Sequence, residues 1–412
     1  MTKKLHVQTL KNGMTLIVEE EPRFQTFACE LLLPGGYLFD DKTSIGRSLY
    51  LSELMERGAG DLDSKALSDE WESIGARFGL SVGLDRTVAR VSCLKDYIDD
   101  AFKLFTINII KPTLPEEEIE PIKSSLLQEL LSLQDNPSRK TLVTLADIFY
   151  PAPWNRSSYG TKEGFESVTR KDLVDIYNRI FRPSKAVLSI AGGITKEKAI
   201  ELAENFCRDW QGDSATLPEY PEIPEGQIRH IQQDSHQVQI AFGYPSCKFG
   251  DKRYYPAKVA NEVLSGGMFG RLFIEVREKR GLCYSVYSRH SGTKYIGSVF
   301  AYAGTTPERA QETLDVMFSV LKNLKGTVTE AELVRSRINI KSNLVLSEEG
   351  PGSRASSNAG DYYTLGRIRT LDEICREIDN VTLDSVNSYL EEFSPTVRTI
   401  VTLGPKELVI PN

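Results

Sequence analysis

Thr113-Leu-Pro-Glu-Glu-Glu-Ile119 returns as Thr327-Val-Thr-Glu-Ala-Glu-Leu333, at an offset of 214 residues. Val168-Thr169 returns as Val381-Thr382 at an offset of 213. Each copy then opens the same kind of segment, Asp172-Leu-Val-Asp-Ile-Tyr177 in the first and Asp384-Ser-Val-Asn-Ser-Tyr389 in the second. A short apolar run follows both, Ala186-Val-Leu-Ser-Ile-Ala191 and Arg398-Thr-Ile-Val-Thr-Leu403. Three matches in one order at nearly one spacing mark an internal duplication, which sets the architecture before any local reading begins.

The repeats meet at Gly212-Asp-Ser-Ala-Thr-Leu-Pro-Glu-Tyr-Pro-Glu-Ile-Pro-Glu-Gly226, where three prolines remove helix hydrogen bonds and stiffen the chain. This stretch predicts a first domain over 1–211, a linker over 212–226 and a second domain over 227–412. Each half begins with strand-like alternation, as in Phe27-Ala-Cys-Glu-Leu-Leu-Leu33 and Val238-Gln-Ile-Ala-Phe242, continues with helices, and closes on another strand. The order predicts an α+β fold: two homologous domains, each a mixed β-sheet covered by helices. Near the start, Asn12-Gly13 predicts the turn of a strand pair. Thr306-Pro307 predicts an N-cap hydroxyl before a proline at the first helical position, and Thr329 with Glu332 predicts a capping box.

The chain has 412 residues, 40% hydrophobic and 26% charged, with 50 basic against 57 acidic side chains and a net charge of −7. That balance lacks the basic footprint of a nucleic-acid binder and gives no attraction to a membrane surface. The first twenty residues alternate polar and apolar instead of running apolar as a signal sequence does, and no stretch approaches the twenty apolar residues of a membrane span, so a cytoplasmic protein is expected. The six cysteines are scattered, and none of the four histidines lies three or four residues from another. No helix can therefore present two imidazoles to one metal ion.

Two stretches carry a family likeness. One is Leu264-Ser-Gly-Gly-Met-Phe-Gly-Arg-Leu-Phe-Ile-Glu-Val-Arg-Glu-Lys-Arg-Gly-Leu-Cys-Tyr-Ser-Val-Tyr287; the other is Gly46-Arg-Ser-Leu-Tyr-Leu-Ser-Glu-Leu-Met-Glu-Arg-Gly58, followed by Asp85-Arg-Thr87. With the duplication and the closing Pro183-Ser-Lys-Ala-Val-Leu-Ser-Ile-Ala-Gly-Gly193, the chain resembles the pitrilysin and mitochondrial-processing-peptidase family over essentially its whole length. The resemblance implies that the two domains form half of a clamshell chamber. Active members carry His-x-x-Glu-His, two imidazoles one turn apart on zinc and a Glu that deprotonates the attacking water. Aligning the flanking glycines puts Leu49 and Glu53 at the histidine positions and Ser52 at the general base. The third ligand of the family, a Glu on a later helix, falls at Ile122 in the best register, with Glu120 and Glu129 as alternatives.

Arg277 and Tyr284 match an Arg and a Tyr that, in the family, reach the zinc site and hold the substrate backbone. A guanidinium and a phenol are hydrogen-bond donors suited to developing negative charge. Read without the family, Arg277 would be a surface ion pair with Glu275 or Glu278, and Tyr284 a half-buried strand aromatic. Gly266 and Gly267 occupy the place of a glycine-rich substrate loop in the family's non-catalytic subunits, and equally suit a plain turn into a helix.

The resemblance thus implies a non-catalytic subunit of a heterodimeric zinc metallopeptidase. Catalytic residues, metal and cofactor are expected to be absent from this chain, with zinc in a homologous partner subunit and unfolded peptides as substrate. Alternatives are a homodimeric peptide-binding chamber and a non-proteolytic core scaffold.

Overall fold

The structure, a computed structural model, describes residues 4–220, 222, 225–395 and 398–411. They form two compact units.

In the first unit, β1 (Lys4–Thr9) and β2 (Thr15–Glu20) pair antiparallel through the Asn12-Gly13 turn, where Gly13 takes φ 84° and the Asn12 side chain accepts the Met14 amide at 3.2 Å. The strands β3 (Thr26–Pro34), β6 (Arg77–Val82), β7 (Arg86–Leu94) and β8 (Val187–Gly192) complete a six-stranded sheet ordered β1-β2-β8-β3-β7-β6, and β4 (Gly58–Ala59) with β5 (Leu62–Asp63) makes a separate small hairpin. In the second unit, β9 (Ile228–Gln232), β10 (Val238–Ser246), β11 (Cys283–Gly292), β12 (Gly297–Thr305) and β13 (Thr399–Gly404) form a sheet ordered β11-β12-β10-β13-β9.

Read from the opposite edge, the second sheet repeats β2-β8-β3-β7-β6 of the first. The correspondence extends to one parallel pair in each, β2 with β8 and β13 with β9, among antiparallel neighbours. The duplication is therefore a duplication of topology, and both sheets are mixed. Its local signals hold at matching places: Thr169 and Thr382 each build a capping box, as does Thr329 with Glu332. At Thr306 the proline does open a short 3-10 turn, Pro307–Arg309, but no side-chain cap accompanies it.

The units are not contiguous in sequence. The first comprises Met1–Ser132, Arg156–Glu219 and Ser347–Ile368; the second comprises Leu133–Asn155, Tyr220–Leu346 and Arg369–Asn412. Helix Pro137–Phe149 thus lies in the second unit, where Leu145 and Ile148 pack on Ala241 and Val401. Helix Pro351–Leu365 lies in the first, where Ala359 and Tyr363 pack on Ile17, Leu32, Val88 and Val187. Each sheet carries apolar side chains on both faces, so the face away from its main helical layer needs a cover of its own. Periodicity shows that these helices have an apolar stripe without showing which sheet receives it.

Among the described residues no helix is long and apolar enough to cross a membrane. Cys29, Cys93, Cys207, Cys247 and Cys283 are buried thiols.

Asp251 leads into helix Tyr254–Ser265 and takes two hydrogen bonds from the Arg253 guanidinium, at 2.8 and 2.6 Å. The Arg253 side chain above all lowers the Asp251 carboxyl from 3.8 to about 2, burial opposing. A depressed folded value means the stabilisation is complete above 3.8 and disappears as pH falls towards 2. After discounting for exposure, Asp251→Asn is expected to remove about 1 kcal/mol at neutral pH and to flatten the acid limb of a urea-denaturation series between those two pH values.

Candidate functional site

The helix aligned with the zinc motif, Arg47–Met55, starts from a buried carboxylate. Asp40 accepts the Gly46 amide at 2.7 Å, the Ser48 amide at 2.8 Å and the Ser48 hydroxyl at 2.6 Å. Burial raises the Asp40 carboxyl above its ordinary value, against the pull of those hydrogen bonds and of Arg156. Gly46 sits at φ 109°, and a Cβ there would come within 2.5 Å of the Phe165 ring. The helix is therefore held firmly in place.

Its side chains do not fit a zinc ion. Ser52 turns its hydroxyl back onto the Leu49 carbonyl at 2.7 Å, Leu49 packs against the core, and Glu53 stands exposed. Ile122, on helix Ile119–Ser132, is 3% exposed and part of the core. Of the two alternative third ligands, Glu120 pairs with Lys123 and Glu129 is exposed. A zinc peptidase site needs imidazole-type donors with an open fourth position, and these four positions offer one carboxylate. Among the described residues, no group of three or more His, Cys, Asp or Glu side chains could hold a metal.

In the second unit, Arg277 and Tyr284 are brought together by two departures from regular backbone. Residues Phe273–Glu278 form a π-helix, in which the Lys279 amide reaches the Ile274 carbonyl at 2.9 Å. Then Cys283 pairs opposite Thr305 and Ser285 opposite Gly304, which leaves Tyr284 as the extra residue of a β-bulge. Short π-turns and bulges recur at functional sites because each re-aims a side chain that a regular element would direct elsewhere.

The Arg277 guanidinium lies 4.9 Å from the Tyr284 ring centroid and 5.0 Å from that of Phe273, a cation stacked between two aromatic faces. Tyr284 is 85% exposed. The ion pair with Glu275 or Glu278 expected without the family is not made, and Glu275 is engaged instead by Lys279 at 2.6 Å and Arg280 at 2.7 Å. Among the described residues no carboxylate pairs with Arg277. Burial pushes the adjacent Cys283 thiol up to about 11, Arg277 pulling the other way, so that sulfur remains protonated.

What this leaves is an oriented guanidinium without a counter-charge beside an exposed phenol, both able to donate to a peptide carbonyl or to the negative charge that grows on it. Phe273, the second face of the stack, was missed in the sequence. Its position four residues before Arg277 on a helical stretch was the available signal.

Gly266 follows helix Tyr254–Ser265 and Gly267 opens the turn Gly267–Phe269. A Cβ on Gly266 would meet the Glu262 carbonyl at 2.5 Å, while Gly267 takes φ 71° in open space. Both glycines have conformational reasons to be there. The loop displays Met268 and Phe269 outward, with Arg335 over the Phe269 ring at 4.8 Å.

Comparison with known proteins matches both halves of the chain to one family. Residues 15–162 match the insulinase domain of peptidase family M16, and residues 167–340 match the domain described as the peptidase M16 inactive domain. A Bacillus subtilis (strain 168) protein described as an uncharacterized zinc protease is 25% identical over 96% of this chain and 97% of its own length. A Rickettsia felis protein of the same description is 24% identical, with 99% of each chain covered. Among solved structures, a peptidase M16 inactive domain from Pseudomonas fluorescens superposes with a TM-score of 0.88 at 23% identity over 99% of both chains. A protease from Helicobacter pylori gives 0.89 at 20% identity, over 98% of this chain and 100% of the other.

Proposed function

This chain belongs to the M16 peptidase family, and from that premise we propose that it is the substrate-gripping, zinc-free subunit of a cytoplasmic heterodimeric metallopeptidase. A homologous partner supplies the zinc and the attacking water. Arg277 and Tyr284 supply donors to the carbonyl oxygen beside the scissile bond of an unfolded peptide.

The observation that carries this reading is the state of Arg277. Its guanidinium is stacked on two rings and has no carboxylate partner among the described residues, which leaves its N–H donors available to an anionic or polar group. The same chain offers Leu49, Ser52 and Glu53 where imidazoles and a general base would stand, which leaves the hydrolytic half of the chemistry to another polypeptide.

The test is to purify the chain alone and together with a co-expressed His-x-x-Glu-His homologue, then measure bound zinc and cleavage of unfolded peptides. The chain alone should hold well below one equivalent of zinc and cleave nothing, and the pair should cleave. A lone chain that bound one zinc ion and hydrolysed peptides would overturn the proposal. So would a complex whose activity ignores the Arg277 and Tyr284 variants described below.

A further inference from the structure

Helix Tyr254–Ser265 of the second unit carries Tyr254, Lys258 and Glu262 one turn apart, on a stripe that its buried core residues leave free. The Tyr254 ring is the hub of that stripe. Around it stand the rings of Phe249 at 4.8 Å, Tyr255 at 5.4 Å and His290 at 5.5 Å, and the Lys258 ammonium lies 5.6 Å from its centroid. Arg369, also of the second unit, stacks its guanidinium on Phe249 at 4.6 Å and donates to the Tyr255 hydroxyl at 2.6 Å. An ammonium and a guanidinium thus share one set of aromatic rings.

Lys258 is half-buried and makes no ion pair among the described residues. Glu262, one turn on, takes a hydrogen bond from Asn339. Burial, and next the Arg369 guanidinium, hold the Lys258 ammonium below its ordinary value, with Glu262 pulling the other way. Burial and Lys258 bring His290 down to about 4, against the Cys247 backbone, so that imidazole is neutral at pH 7. Lys65 and Lys198 show the contrary case: carboxylates of Asp69 at 2.7 Å and Asp99 at 2.5 Å hold both ammonium groups charged. A desolvated lysine beside a second cation is the arrangement that yields a neutral, nucleophilic amine. The peptide chemistry proposed above has no use for it.

We propose that Lys258 is an acylation site for small acyl phosphates. The neutral amine attacks the acyl carbon and an N–C bond forms. The C–O bond to the phosphate breaks, its electron pair leaves on the phosphate, and the phosphate takes the proton shed by the nitrogen. Arg369 receives the phosphate, since a guanidinium presents paired N–H donors that match its oxygens. The amide product is uncharged, which removes the repulsion between Lys258 and Arg369.

The experiment exposes the full chain to millimolar acetyl phosphate at neutral pH and follows acetylation of each lysine by quantitative peptide mass spectrometry. Lys258 is expected to react about tenfold faster than the median exposed lysine. With the N-hydroxysuccinimide ester of acetic acid, which carries no phosphate, that advantage should shrink several-fold. Arg369→Gln should bring the acetyl phosphate advantage down to the level of the ester, with melting curves to confirm folding. The comparison of the two reagents on the parent chain needs no variant. Acetylation of Lys258 by acetyl phosphate no faster than the exposed median overturns the proposal, as does an equal or larger advantage with the ester. A folded Arg369→Gln chain that keeps the full advantage overturns it too. No step involves Arg277 or a partner subunit, so this result and the cleavage test are independent.

Discussion

Arg277→Ala in the assembled zinc-bearing complex is expected to lower peptide turnover about a hundredfold or more, the scale seen when one donor to a developing oxyanion is removed. The loss should appear in kcat with little change in KM, because a donor aimed at growing negative charge acts on the transition state more than on the bound peptide. Arg277→Lys should rescue poorly. The site accepts a planar cation between the rings of Phe273 and Tyr284, and an ammonium neither stacks as well nor presents a rigid fork of N–H groups. Tyr284→Phe keeps the stacking face and loses the hydroxyl, so a smaller drop of roughly tenfold is expected for one neutral donor. With Tyr284 almost fully exposed, that substitution should leave the melting temperature unchanged, which separates a role in turnover from one in folding. Turnover within twofold of the parent for both Arg277→Ala and Tyr284→Phe would remove these residues from the reaction.

Arg354→Ala should sharply lower the stability of the first unit. Arg354, on helix Pro351–Leu365, donates to Glu19 on β2 at 2.9 and 2.8 Å and also pairs with Glu348. Asn358 adds a bond to Glu19 at 2.6 Å, and Ser357 one to Glu348 at 3.0 Å. Glu19 is only 1% exposed. Removing the guanidinium strands the buried carboxylates of Glu19 and Glu348, which costs about 3–5 kcal/mol, whereas replacing all three partners with apolar side chains of similar volume costs far less. Urea denaturation of Arg354→Ala and of the triple variant Glu19→Met, Glu348→Met and Arg354→Met measures the contrast. A cost below about 1 kcal/mol for the single change would show that this network does not anchor the helix.

That network also shows where sequence reading reached its limit. The Asn12-Gly13 turn, the capping boxes at Thr169, Thr329 and Thr382, and the paired topology of the two halves were legible because each signal lies within a few residues or repeats at one offset. The partnership of Glu19 with Arg354 spans 335 positions and leaves no periodic trace. Nor does the exchange of helices Pro137–Phe149 and Pro351–Leu365 between the units, since an amphipathic stripe looks the same whichever sheet it covers. The Thr306 side-chain cap was expected and is absent, because Pro307 opens a 3-10 turn there.

For the candidate site, the residue types themselves decided that Leu49, Ser52, Glu53 and Ile122 offer one carboxylate and no imidazole, too few donors for a zinc peptidase site, since donor chemistry belongs to a side chain wherever it is placed. Arg277 and Tyr284 could be named from their motif, but their state could not. Only the tertiary structure gives Arg277 two aromatic faces, assigns Glu275 to Lys279 and Arg280, and turns Tyr284 outward on a bulge. Covalent identity fixes what a group can donate or accept; whether it is left available depends on neighbours that the chain supplies from far along its length and on backbone irregularities with no local code.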